Sequence, residues 1–179
     1  LKKGRVNMKI SELLRQRPTL SFEIFPPKNK DGDISSIYST IDQLAQLKPD
    51  FISVTYGAGG STTRNTVEIA TMIKERWQIE SVAHLSCIDA TAENLRGVLD
   101  QLKEKGIENI LALRGDYPKG YDPQTAPQEF RHASDLAAFI TANSILRRKN
   151  PFIFCKSGSC LICRDWNLLT GSRSSRRKR

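Results

Sequence analysis

Four short apolar runs recur in this chain at intervals of roughly 30 residues, beginning near residues 19, 51, 81 and 109. A stretch with helical periodicity follows each run, and turn residues such as Pro26, Pro27 and Gly106 mark the ends. This alternation is typical of the β-α-β unit of a parallel sheet. The predicted strands are 19–25, 51–56, 81–86 and 109–114, and the predicted helices lie around 10–14, 34–45, 67–77, 91–105 and 134–142.

Polar residues at the strand ends favour a barrel over an open doubly wound sheet. Glu23, Thr55, His84 and Asp116 each lie at or near the C-terminal end of a different predicted strand. A (β/α)₈ barrel gathers its chemistry at that face. A dinucleotide-binding sheet would instead place G-x-G-x-x-G after its first strand, which here ends in Pro-Pro. We therefore predict an α/β protein of the (β/α)₈ TIM-barrel class, with only about the first four of the eight units present.

Charge divides the chain near residue 143. Residues 143–179 hold ten Lys or Arg against one acid, which accounts for the whole net charge of +9. The segment also holds three of the four cysteines. We predict an upstream extension over 1–7, with Met8 as the natural start, a partial barrel over 8–142, and a basic, Cys-containing tail over 143–179.

Composition bears on location and partners. No apolar run approaches the roughly 18 residues that a membrane-spanning helix needs, so we expect a cytoplasmic protein without a membrane partner. The basic end, Arg176–Arg179, lacks interleaved aromatic residues, so nucleic acid is not the expected partner. A non-catalytic fragment whose tail binds nucleic acid remains the alternative function.

Glu23 is the first candidate for chemistry. It lies between Phe22 and Ile24 in a strand that should be largely buried. Burial would favour its protonated form, which suits a general acid. The alternative is a carboxylate paired with Arg or Lys at the strand end.

The tripeptide Arg114-Gly115-Asp116 is the second candidate. Glycine there would let the backbone approach a ligand closely, and the guanidinium could bind a phosphate. A surface Arg–Asp pair is the plainer interpretation. A histidine such as His84 in a strand is more often a hydrogen-bonded core residue than a catalyst, and Thr55 with Tyr56 could bind a ligand or satisfy the loop backbone.

The tail contains C-x₄-C-x₂-C at Cys155, Cys160 and Cys163. The spacing is similar to part of a zinc or iron–sulfur motif. A fourth ligand is missing, so we predict no metal site.

Five segments in order, SFEIFPP (21–27), FISVTYGAGGS (51–61), HLSCIDAT (84–91), NILALRGD (109–116) and HASDL (132–136), resemble the bacterial methylenetetrahydrofolate reductases. The resemblance covers about residues 8–142. It implies an FAD-containing (β/α)₈ barrel that oxidises NADH or NADPH and reduces 5,10-methylenetetrahydrofolate to 5-methyltetrahydrofolate, feeding methionine synthesis. It also implies a homo-oligomer in the full-length family.

The resemblance further implies roles for individual residues. Glu23 would protonate the folate's bridging ring, so that it opens to an iminium that accepts hydride from the flavin. Asp116 would lie near the flavin and the folate. The flavin-contacting positions would be Thr55, Tyr56, Ala58, His84, Arg114, Gly115, Asp116 and Ala133. His132 stands where some relatives have Tyr, so that contact is not carried over.

The segment 143–179 departs from the family, and its composition suggests translation out of frame or a fusion. A half-barrel would leave sheet edges unpaired. We therefore expect the chain alone to bind FAD poorly and to reduce little folate. A different folate or flavin barrel, such as a proline-dehydrogenase-like enzyme, would share the architecture without all five segments.

Overall fold

The structure, a computed structural model, describes residues 9–26, 35–56, 63–88, 90–117, 120, 122, 129–143 and 152–155. Its elements alternate along the chain: α1 Ile10–Gln16, β1 Ser21–Ile24, α2 Ser35–Gln46, β2 Phe51–Val54, α3 Thr63–Trp77, β3 Glu80–Ser86, α4 Ala92–Glu104, β4 Asn109–Leu113, α5 Ala133–Ala142 and β5 Phe152–Cys155. The four predicted strands and five predicted helices are confirmed, with ends that differ by a few residues.

The five strands form one parallel sheet in the order β1-β2-β3-β4-β5. Connections between parallel strands are right-handed in about 98% of cases. In this sheet each strand lies on the same side of the strand before it. Right-handed connections then place all the connecting helices on the same face of the sheet. A doubly wound sheet would reverse its order and carry helices on both faces. The topology is therefore that of a partial barrel wall, as predicted.

Side-chain burial distinguishes the two faces of the sheet. Alternate strand residues point to opposite faces, and those on the helix-covered face are fully buried: Ile52, Val54, Ala83, Leu85, Ile110 and Ala112. They share one apolar core with Ile41 of α2, Ile73 of α3, Leu95 of α4 and Leu136 of α5. Burying each Ile or Leu contributes about 1.5–3 kcal/mol. This core fixes the strands that carry the candidate site.

The opposite face, which would line the barrel interior and is called the open face below, is covered unevenly. At the end where the strands begin, Val82 and Asn109 are buried, and the Ile10 amide of α1 donates to Asn109 Oδ1 at 3.5 Å. Further along the strands, Leu111 and Leu113 are only half-buried. Near the carboxyl ends of the strands, His84 and Ser86 are buried on this face, whereas Glu23 is exposed.

A polar network ties the strand starts together. Glu80 Oε1 accepts from Lys74 Nζ at 3.3 Å and from Asn109 Nδ2 at 3.1 Å. The same ammonium donates to the Gly106 carbonyl at 2.7 Å. Because these groups join α3, β3, β4 and the turn after α4, this end of the sheet serves structure rather than chemistry.

A fifth strand adds to the four that the sequence predicted. Phe152–Cys155 pairs in parallel with β4, and Asn109 is in register with Phe152. The strand is a four-residue apolar run inside the basic segment. Because the prediction for this segment rested on its overall composition, the short apolar run was not recognised as a strand. The change in composition near residue 143 therefore does not end the sheet. Residues 156–179 lie outside the described residues.

Within the described part of the chain, no helix is long and apolar enough to cross a membrane.

Candidate active site

Glu23, His84 and Asp116 belong to three different strands of the sheet or the residues just after them. In the parallel register, Glu23 is level with Ser53 of β2 and Val82 of β3. His84 lies two residues further along β3 on the same face, and Asp116 follows the end of β4. The carboxyl ends of parallel strands lie at the same edge of a sheet. The fold therefore agrees with the prediction that these three residues lie at the same end of the sheet.

The expected burial of Glu23 is wrong. Its side chain is 49% exposed, because β1 has only one neighbouring strand among the described residues and its carboxylate lies on the open face of the sheet. The alternation of side chains, rather than the apolar neighbours Phe22 and Ile24, decides where the carboxylate points. An argument from burial alone therefore does not support the role of general acid.

His84 lies beside Glu23 across the sheet. Its Nδ1 lies 4.0 Å from Glu23 Oε1, and its side chain is only 6% exposed. The imidazole is thus held in the central strand β3, whereas the carboxylate is accessible from the open face. The alternative expectation for Glu23, a partner from Arg or Lys at the strand end, stays a prediction, because Lys28 and Lys30 after β1 lie outside the described residues.

The pairing of β3 with β4 continues past the ends of both strands and fixes the turn at Arg114. The amides of Cys87 and Ile88 donate to the carbonyls of Leu113 and Arg114 at 3.0 and 2.9 Å. Ser86 Oγ donates to the Arg114 carbonyl at 2.9 Å. Three hydrogen bonds therefore hold the backbone that leads into Asp116.

Gly115 is required by the packing of this turn. Its φ is +84°, a backbone conformation that residues other than glycine rarely adopt. A Cβ atom at this position would lie 2.0 Å from Ser86 Oγ and 2.9 Å from Ile88 Cγ2. Close approach by a ligand at Gly115 stays a prediction, and within the described protein the close neighbour is Ser86. Sequence reasoning missed Ser86, although it lies within the segment HLSCIDAT.

Arg114 and Asp116 are both exposed beyond this turn. The Arg114 guanidinium lies 5.1 Å from the centroid of the Tyr117 ring, and its Nε donates to the Gly115 carbonyl at 3.3 Å. Tyr117 is 57% exposed. The turn thus presents a cation, an anion and an aromatic ring together, just beyond the carboxyl end of β4. The Tyr117 ring is a second feature that the sequence analysis did not single out.

Thr55 and Tyr56 follow β2 and are half-buried. The Thr55 amide donates to the Ile24 carbonyl at 2.9 Å, and its own carbonyl accepts from Thr66 Oγ1 at 2.9 Å. These bonds join the ends of β1 and β2 to the first turn of α3. Ala58, which was also expected to contact the cofactor, lies outside the described residues.

Ala133 is buried at the start of α5. Because α5 follows β4 in the chain, its first residues lie at the same end of the sheet as Asp116. Asp135 Oδ2 accepts from the amides of His132 at 2.9 Å and Arg131 at 3.0 Å. These backbone hydrogen bonds, the one from His132 foremost, hold the pKa of Asp135 below its ordinary value, although burial works in the opposite direction.

The expected metal spacing in the tail is only partly covered by the structure. Cys155 belongs to β5, and Cys160 and Cys163 lie outside the described residues. Among the residues that are described, no three His, Cys, Asp or Glu side chains form a cluster that could hold a metal ion.

A parallel sheet in consecutive order, with its polar side chains at the strand carboxyl ends, defines a partial (β/α)₈ barrel of the enzyme type. The family model for methylenetetrahydrofolate reductase matches residues 9–147, which is most of the chain and includes every candidate site residue. The chain therefore belongs to the methylenetetrahydrofolate reductase family.

Individual relatives agree with this assignment. The chain is 41% identical over 135 residues to a 5,10-methylenetetrahydrofolate reductase of Pectobacterium carotovorum subsp. carotovorum, an alignment that covers 75% of this chain and 43% of the relative. It is 38% identical over 135 residues to the Escherichia coli (strain K12) protein of the same name, with the same coverage. It is 40% identical over 115 residues to the Arabidopsis thaliana methylenetetrahydrofolate reductase (NADH) 1, covering 64% of this chain and 19% of the relative. The chain thus spans less than half the length of the relatives that it matches.

Proposed function

We propose that this chain supplies the N-terminal part of a flavin-dependent reductase that converts 5,10-methylenetetrahydrofolate to 5-methyltetrahydrofolate. NADH or NADPH would reduce the flavin, and the product would feed methionine synthesis. Membership of the family supports the reaction class, and the site geometry supports the assignment of roles.

The contact between Glu23 and His84 is the observation that carries this proposal. It places a carboxylate, reachable by a small molecule, beside a buried imidazole at the carboxyl end of a barrel sheet. A general acid must be within reach of the atom it protonates, and it is best oriented by a second group. Glu23 meets the first requirement because its side chain is half exposed on the open face.

In this proposal Glu23 delivers a proton to the bridging ring nitrogen of the folate, so that the ring opens and the one-carbon unit becomes electrophilic. Asp116, exposed just beyond Gly115, stabilises positive charge that develops on the folate. The hydrogen bonds of Ser86, Cys87 and Ile88 fix the backbone that leads to this carboxylate. Each role belongs to a side chain of this chain, and the cofactor supplies the hydride.

The described residues suit FAD as that cofactor. Arg114 offers an exposed guanidinium, which matches the anionic diphosphate of a dinucleotide. Thr55 and Tyr56 contribute hydroxyl groups at the end of β2, and His84 contributes an imidazole for the polar edge of a ring. Ala133 is buried at the start of α5, and its contact with the cofactor is proposed from the family resemblance alone.

The open face gives a reason to expect weak flavin binding by the chain alone. Glu23 is 49% exposed, and Leu111 and Leu113 are half-buried on a face that a closed barrel would cover. We expect the purified chain to show much less than one equivalent of visible flavin absorbance. Stoichiometric yellow flavin, bleached by NADH, would contradict that expectation.

A chimera tests the function itself. Residues 9–147 would replace the matching segment of the Pectobacterium relative, and two half-reactions would be measured: nicotinamide-dependent flavin reduction and folate-dependent flavin reoxidation. We expect both to proceed. Glu23→Gln should slow the folate half-reaction by about 10²–10⁴-fold and leave the nicotinamide half-reaction unchanged.

Glu75→Gln is the matched control, since Glu75 is an exposed carboxylate on α3. It should leave both half-reactions at their starting rates. Folate reduction that persists in the Glu23→Gln chimera would show that Glu23 is not the general acid. A chimera that binds flavin but reduces no folate would contradict the proposed activity.

A further inference from the structure

We propose that His84 is a positioning residue for Glu23, which it holds in place by donating from Nδ1 to a carboxyl oxygen of Glu23, an acceptor whether or not the carboxyl group carries the proton. This inference rests on the proposed function for its purpose, because it concerns the orientation of the proposed acid. The contact itself can be tested without any activity.

The two side chains differ in how firmly they are held. His84 lies on β3, which pairs with β2 on one side and β4 on the other, and its side chain is 6% exposed. Glu23 lies on β1, which has β2 as its only neighbour among the described strands, and its side chain is 49% exposed. A buried ring on a central strand can orient a carboxylate on an edge strand, whereas the reverse is not expected.

The geometry selects one nitrogen of the ring. Nδ1 is the atom that lies 4.0 Å from Glu23 Oε1, and it donates whether the imidazole is neutral with its proton on Nδ1 or fully protonated. The distance is longer than a hydrogen bond. Because the Glu23 side chain is half exposed on an edge strand of the described sheet, a small movement of that side chain brings its carboxyl group within hydrogen-bond reach of Nδ1 without any ligand.

This arrangement separates two tasks within one residue. Nδ1 faces the carboxylate, so a flavin contact by His84, if the family resemblance holds at this position, would involve the other ring nitrogen. His84 would then contact the acid through one ring nitrogen and the cofactor through the other, and so fix the distance between them. Replacement of the ring would disturb the placement of Glu23 rather than remove a group that reacts.

The chain offers a direct spectroscopic test because it contains only two histidines, His84 and His132. Each lies beside a carboxylate of the described residues: Glu23 Oε1 is 4.0 Å from His84 Nδ1, and Asp135 Oδ2 is 3.6 Å from His132 Nδ1. Imidazole ¹⁵N resonances of the uniformly labelled full chain would therefore give two sets of signals. A nitrogen that carries a proton is readily distinguished from one that does not.

We expect the His84 Nδ1 resonance of the unsubstituted chain to be that of a protonated nitrogen. Glu23→Ala should move it towards the unprotonated value, and Glu23→Gln, which keeps an acceptor oxygen, should give an intermediate position. Asp135→Ala is the matched control, and it should move the resonances of His132 while leaving those of His84 in place.

Two results would overturn the inference: an unprotonated Nδ1 in the unsubstituted chain, or His84 resonances that are the same with and without Glu23. If Glu23→Ala loses the dispersed amide spectrum of a folded chain, Glu23→Gln alone decides, by moving His84 or failing to move it. The measurement needs neither flavin nor folate. An inactive chimera would therefore contradict the proposed function and leave the pairing to be judged on these spectra.

Discussion

The hydroxyl group of Ser86 occupies the space that a side chain on Gly115 would need. An ideal Cβ on Gly115 would lie 2.0 Å from Ser86 Oγ, and the same oxygen donates to the Arg114 carbonyl at 2.9 Å. The last residue of β3 thus determines which residue can precede Asp116. The conformation of the Arg114–Asp116 turn depends on this pair.

We expect Gly115→Ala to destabilise the fold by about 2–4 kcal/mol, since it adds a steric clash to the roughly 1–2 kcal/mol cost of a positive φ. Gly106→Ala is the matched control, because Gly106 has a φ of +67° and an added Cβ would have nothing within 4 Å. It should cost only the conformational part. Urea unfolding measures both.

The same pair permits a double-mutant cycle. Ser86→Ala removes the oxygen that would clash, so the combined Ser86→Ala, Gly115→Ala variant should be less destabilised than the sum of the single variants. Strict additivity would show that the two side chains do not compete for this space.

A carboxylate from a distant part of the chain caps α4. Glu129 Oε2 accepts from the Ala92 amide at 2.9 Å, while Thr91 Oγ1 accepts from Asn94 at 3.2 Å. Negative charge is favourable at a helix N-terminus. We expect Glu129→Gln to lower the free energy of unfolding by about 0.3–1 kcal/mol, and Thr91→Ala by about 1 kcal/mol. Salt should reduce the first effect and spare the second, and equal salt dependence would contradict the electrostatic account.

The lowered pKa of Asp135 predicts a pH-dependent contribution to stability. Because the carboxylate accepts from the amides of His132 and Arg131, its pKa in the folded chain lies below the ordinary value of 3.8. The stabilisation is therefore present above about pH 4 and is lost as the pH falls through the folded pKa. The side chain is 43% exposed, so solvent screening should keep the effect below about 1 kcal/mol.

The comparison for this effect is Asp135→Asn, which keeps the shape of the side chain and removes the charge. Unfolding free energies of the two proteins should differ above about pH 5 and converge as the pH falls below the ordinary Asp pKa of about 3.9. A difference that is constant across this range would mean that the charge of Asp135 does not contribute.

Proline substitutions test the fifth strand. Successive backbone amides of a strand point alternately to its two sides, and β5 has β4 as its only neighbour among the described strands. Of Ile153→Pro and Phe154→Pro, one should remove a hydrogen bond to β4 and one should not. We expect the two variants to differ in unfolding free energy by about 0.5–1.5 kcal/mol. If both variants had the same free energy of unfolding as the starting protein, the pairing of β5 with β4 would be contradicted.

Local periodicity was sufficient to predict the regular elements. The helix faces formed by Ile37 and Ile41 or by Leu95 and Leu99 depend only on residues within one turn of each other. The N-cap of α4 is Thr91, whose side chain accepts from the Asn94 amide three residues further on, so this contact is also local. The short strand Phe152–Cys155 was missed because four residues carry little periodic signal against a basic background.

The environment of the candidate site was less predictable, because it depends on what lies across the sheet. The exposure of Glu23 follows from its place on an edge strand, which no local pattern records. The neighbour of Gly115 is Ser86, 29 positions earlier in the chain, so the sequence showed the need for glycine and not its cause. The contact between Glu23 and His84 crosses β2 and involves residues 61 positions apart.

The consecutive strand order also has a consequence for how the chain can assemble during synthesis. Each strand pairs with the one made immediately before it, so no part of the sheet has to wait for a partner that is still to be translated. Growth can proceed in one direction, with each completed strand serving as the template for the next. A wall built in this manner can be lengthened or altered at its last strand while the units already formed, including those that carry Glu23 and His84, keep their own packing.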